Sequence, residues 1–236
     1  MSRTDTAVNS ATAATVLQIL SGGAAPPLPR HRHDLSREDV RETQRARVVA
    51  AAIELFADTG YAPTSVQEIT KRAGVSRKTF YELYATKEDV FLDAYQAVDV
   101  LVRETRLTDG EPEAYDLETL TEITQRLLLL MAVAPAATRM FFLEALGAGP
   151  RVRARRNEAI DEFVAAITPA LQKARAVIEP ELPPLTIDHC RILVAAGIEL
   201  ITEYLADHEP ETLATLTPRI TRAARVIVIP TYIESD

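Results

Sequence analysis

The sequence is poor in the residues that build redox, metal and membrane chemistry. One cysteine in 236 residues, Cys190, excludes a disulfide framework and every multi-cysteine zinc site. The four histidines are His31, His33, His189 and His208. No two of them stand at the spacing of metal ligands on a helix, so neither a metal nor another cofactor is expected. The spacings G-x-S-x-G, H-E-x-x-H, G-x-G-x-x-G and the P-loop are absent, and no enzymatic activity is expected. The longest apolar run, Leu127 to Ala134, is far short of the ~18 residues that a membrane helix needs. Ala11 to Leu20 has the length of a signal-peptide core, but Thr12, Thr15 and Gln18 interrupt it. A cytoplasmic chain with no membrane partner is the expectation.

What is present is ordinary globular material, 47% hydrophobic and 25% charged. The length allows one large domain or two of roughly 100 residues. The net charge of −8 argues against a nucleic-acid partner until its distribution is considered. Residues 30–87 carry eleven Lys/Arg against eight Asp/Glu, whereas residues 88–236 carry fourteen against twenty-five. A weakly basic segment on an acidic body suits a polyanion-binding head joined to a domain of another kind.

Residues 1–35 are Ala/Thr/Ser-rich, then Gly/Pro-rich, and follow no structural period. They are read as a disordered N-terminal extension ending in Arg30-His31-Arg32-His33. Ser36 is expected to cap a first helix whose apolar stripe is Val48, Val49, Ala52, Ile53 and Phe56, and which Gly60 stops. Thr64-Ser65-Val66-Gln67 reads as a capping box opening a second helix, 64–72. Gly74 supplies the turn, and Ser76 caps a third helix, 77–84. Further helices are expected at 87–106, 116–133, 136–147, 150–178, 186–207 and 210–229. The β-branched run Val226 to Ile229 favours a strand, but no partner strand is visible. The fold class is all-α, divided into the extension (1–35), a three-helix head (36–86) and a helical body (87–236).

Two short helices joined by Ala73-Gly74-Val75 have the proportions of a helix-turn-helix. The stretch Ala51 to Asp89 reads AAIELFADTGYAPTSVQEITKRAGVSRKTFYELYATKED. It resembles the TetR family of bacterial transcriptional regulators, whose DNA-binding region runs AA..LF...GY..TSV..I...AGVS..TFY..F..KE. The likeness covers about forty-five residues. The chain departs from it at Tyr84, where Phe is usual, and at Thr70, where Ala is usual. The second helix of such a unit lies in the major groove with its N-terminal residues at base edges. Here those are Arg77 and Lys78, suited to guanine O6/N7, Thr79, suited to a thymine methyl or a phosphate, and Tyr81, suited to a phosphate. Thr64 and Ser65 open a helix whose amides suit a phosphate. The resemblance gives Lys87 the same role. Arg45 and Gln44 on the first helix, with Arg30, Arg32 and Arg37 of the arm, suit backbone contacts.

For the body, the resemblance implies ligand binding and dimerisation, with the last two long helices forming a four-helix interface. Helix 186–207 is apolar nearly all round, as burial against core and partner together requires. Met140, Phe141 and Glu144 form the best candidate effector site, because Glu144 is a polar group in an apolar stretch that either meets a ligand or pairs with Arg126 or Arg139. His189 and Cys190 are expected in core or interface, and the Arg151, Arg153, Arg155, Arg156 run on a solvated face. The expected function is a homodimeric regulator, a repressor released from palindromic double-stranded DNA by a small, mainly apolar effector. Two alternatives stand beside it: an enzyme in the helical body with an appended DNA-binding head, and a protein that coats DNA without sequence preference.

Overall fold

The computed structural model describes residues 37–104 and 117–230. The N-terminal extension, with Arg30, Arg32 and the expected cap Ser36, lies outside the described residues. All described elements are helical. They are α1 (Arg37–Thr59), α2 (Val66–Ala73), α3 (Arg77–Leu83), α4 (Lys87–Glu104), α5 (Leu117–Val133), α6 (Pro135–Arg139), α7 (Pro150–Ile178), α8 (Ile187–Asp207) and α9 (Thr217–Val228). A π-helical turn, Met140–Glu144, follows α6, and a 3₁₀ segment, Pro210–Leu216, precedes α9.

The described residues pack as two units, one drawn from residues 37–104 and 134–155 and the other from residues 117–133 and 156–230. The first takes in α4, α6 and the start of α7 beside α1 to α3. Its core is built on α1, whose Val49, Ile53 and Phe56 are buried at the i, i+4, i+7 spacing of one helix face. Rings continue this core in relay: Phe56 stacks on Phe91, Phe91 on Tyr95, and Tyr95 meets Phe141 edge-on at 4.0 Å. Gly60 ends α1 at φ 95°, and its N–H donates to the Phe56 carbonyl.

In the second unit, Val164, Leu171 and Ala174 of α7 pack with Cys190, Leu193 and Val194 of α8 and with Ala224 and Val228 of α9. The run Val226 to Ile229 stays helical as far as Val228. Arg175 explains how that end is held. Its buried guanidinium donates to the carbonyls of Ile227 (2.6 Å) and Val228, two of the groups a helix C-terminus leaves open, and to that of Pro183 (3.1 Å) in the preceding loop.

Three expectations need correction. Residues 136–147 are not one α-helix, since a π-turn follows the short α6. Residues 210–229 break into a 3₁₀ segment and α9, because Pro218 lacks the N–H that a continuous helix needs there. Of the core or interface expected for His189, the core is excluded, because the residue is exposed on the single chain. Its Nδ1 accepts from the Thr186 N–H at 3.1 Å and completes a capping box at the start of α8.

Candidate nucleic-acid interface

The local chemistry of residues 60–87 fixes one short helix and presents it. Ser65 caps α2: its hydroxyl accepts from the Glu68 N–H, and the Glu68 carboxylate accepts from the Ser65 N–H at 2.8 Å. The capping box is thus Ser65–Glu68, one residue later than expected. Thr64 is buried instead, with its hydroxyl donating to the Gly60 carbonyl at 2.7 Å. These bonds hold the exposed Glu68 carboxyl below the usual carboxylate range, mainly through the Ser65 backbone N–H. Gly74 ends α2 at φ 66°, ψ 34°, the left-handed conformation that glycine adopts freely. A Cβ there would also stand 2.7 Å from the Arg47 guanidinium.

Ser76 then caps α3 by accepting from the Thr79 N–H at 3.0 Å, and its hydroxyl also bonds to that of Thr79. On α3 the side chains divide sharply. Phe80 is fully buried, while Arg77 and Lys78 are exposed and Tyr81 is 53% exposed. Lys78 leans toward Glu82 at 3.8 Å, a pair too exposed to hold it. Beside α3, Arg37, Arg41 and Gln44 of α1 line an open groove of about 360 Å³ with Thr79 and Glu82. Arg41 was not among the sequence candidates. The i, i+4, i+7 spacing of Arg37, Arg41 and Gln44 was the signal that could have found it.

Other sequence candidates have partners within the first unit. Lys87 donates to three carbonyls, Tyr61 (2.6 Å), Thr64 (2.8 Å) and Ala62 (3.0 Å), and lies over the Tyr61 ring. Partial burial lowers its pKa, against the pull of Glu68. Arg45 is bound to Asp93 of α4 through two hydrogen bonds, 2.6 and 2.8 Å. Met140 is buried, Phe141 packs on Tyr95, and Glu144 accepts the Tyr61 N–H at 2.7 Å. Arg151 is exposed, as expected, and on that solvated face it pairs with Asp89 while its N–H donates to Glu88.

Residues 48–94 match the family described as bacterial regulatory proteins, tetR family. An uncharacterized HTH-type transcriptional regulator, YezE of Bacillus subtilis, is 39% identical over 57 residues, 24% of this chain and 29% of that protein. The HTH-type transcriptional activator FasR of Mycolicibacterium smegmatis is 35% identical over 88 residues, 37% of this chain and 36% of that protein. The chain thus spans about a third of the length of these curated relatives. Among solved structures, the regulator FadR from Bacillus subtilis in complex with stearoyl-CoA shares the fold, with a TM-score of 0.60 and 20% identity. That likeness covers 78% of this chain and 97% of the other. Capped helices, a left-handed glycine turn and the matched sequence make residues 48–94 a helix-turn-helix segment like that of the bacterial regulatory proteins of the tetR family.

Proposed function

We propose that the chain is a homodimeric repressor that leaves a palindromic operator when a small, mainly apolar ligand binds its helical body. The observation that carries this reading is the division of α3. Phe80 anchors the helix, while Arg77, Lys78 and Tyr81 stand in solvent beside its capped N-terminus. In the major groove Arg77 and Lys78 meet guanine edges, Thr79 a thymine methyl or a phosphate, and Tyr81 a phosphate. Arg37, Arg41 and Gln44, on the neighbouring face of α1, supply backbone contacts that position without reading. The first turn of α2 at Ser65 contributes less, because Glu68 already places a carboxylate there.

A two-fold dimer sets two such helices about one DNA turn, ~34–36 Å, apart. Residues 36–86 read the DNA and residues 87–236 bind effector and partner. The stearoyl-CoA held by a regulator of this fold supports a ligand with a long apolar part. Couplings of this kind are typically ~1–3 kcal/mol.

Fluorescence anisotropy with the DNA upstream of the protein's own gene, beside a scrambled duplex, tests the reading. Sequence-dependent binding is expected. The double variant Arg77→Ala/Tyr81→Ala should weaken it on the order of 100-fold, since a base contact such as that of Arg77 contributes about 1–3 kcal/mol and the loss of the Tyr81 phosphate contact adds to it. Equal, salt-governed binding of both duplexes, together with failure to enrich any sequence from genomic DNA, would sink it.

A further inference from the structure

We infer that Asp93 is a positioning residue for the recognition helix and that the Tyr84 hydroxyl is the handle by which it acts. The inference deepens the DNA-binding reading and rests on it.

Helix α3 has seven residues, too few to hold its own direction, so its surroundings must orient it. Phe80 provides most of its burial, yet an apolar ring in an apolar site does not fix rotation about the helix axis. The directional contact comes at the other end. Tyr84, the C-cap of α3, is 6% exposed, and its hydroxyl donates to Oδ2 of Asp93 at 2.6 Å. The same oxygen accepts from Nε of Arg45 at 2.6 Å, while Oδ1 accepts from the Arg45 Nη2 at 2.8 Å. One carboxylate on α4 therefore joins α1 to the end of α3. Guanidinium and carboxylate balance each other, so the hydroxyl adds a bond without adding a charge. A phenylalanine at position 84 would fill the same space and leave α3 without this bond.

The handle matters for reading more than for holding. A small rotation of α3 moves Arg77 and Lys78 off the base edges, whereas phosphate contacts from α1 tolerate it. Loosening Tyr84 should thus erode sequence preference and spare non-specific affinity.

The test uses the full chain. Wild-type protein first selects duplexes from a random-sequence pool, and affinities for the selected and a scrambled duplex are then compared for wild type, Tyr84→Phe and Asp93→Asn. Tyr84→Phe is expected to cut the ratio of selected to scrambled affinity about five- to tenfold, with scrambled binding unchanged. Asp93→Asn should cut it further. Native-state hydrogen exchange of Tyr84→Phe should show faster exchange in residues 79–83 alone. A preserved ratio overturns the inference, as does uniformly faster exchange through α1, α3 and α4, which would make the hydroxyl a matter of general stability. If the wild type selects no sequence, the DNA-binding reading itself falls, and this inference falls with it.

Discussion

At the residue scale, two positions in the head, Gly74 and Glu68, have consequences that unfolding and amide exchange read directly. Gly74 combines a left-handed backbone with an Arg47 guanidinium standing where a Cβ would go. Gly74→Ala is therefore expected to cost at least about 1 kcal/mol, seen as a lowered midpoint in thermal or urea unfolding. Glu68 works through its charged form, and its folded pKa lies below the ordinary value. Its stabilisation is thus present above the usual carboxylate range and fades as pH falls through the lowered value. Acid should loosen the start of α2 ahead of the rest of the head, visible as faster exchange of its first amides. Glu68→Gln keeps a capping-box side chain and should remove that pH dependence. A Gln variant that still loosened in acid would assign the effect to another group.

Among the elements, those set by local rules were legible in the sequence and those set by distant partners were not. Helices α1 to α4 lie close to where apolar spacing, glycine stops and Ser/Thr caps put them, because each signal acts within one turn. Even the slip at α2 was local: Thr64 and Ser65 both suit a cap, and the choice fell to Ser65 because Glu68, not Gln67, reaches back. By contrast, Glu144 meets Tyr61 83 positions away, and Arg175 meets Val228 53 positions away. No periodicity encodes such pairs. For that reason the sequence left Glu144 open between a ligand and an arginine partner, since a lone carboxylate in an apolar stretch looks alike whether it faces a ligand, a guanidinium or a backbone N–H. Arg175 offers the clearest test at this scale. Arg175→Met would fill much of the space but leave buried carbonyls of α9 and Pro183 unpaired. The expected loss is on the order of 3 kcal/mol, measured by urea unfolding. A neutral result would mean that water replaces the guanidinium.

For the whole molecule, electrostatics and the location of a single thiol set what experiments can see. A weakly basic head on a body that carries most of the negative charge should make DNA binding sensitive to salt. Arg41→Ala should weaken binding to all sequences alike and reduce the slope of log affinity against log salt by about one, which anisotropy at several salt concentrations reads. A change in sequence preference instead would move Arg41 from the phosphates to the bases. The buried sulfur of Cys190 has a further use. It lies in the packed interior of the second unit, so a thiol reagent reaches it only when that interior opens. With no other thiol in the chain, the rate at which a chromogenic disulfide reacts is a clock for this opening. Any compound that binds the closed form slows the clock by mass action. An unknown effector can thus be sought by timing one sulfur, with no DNA in the tube.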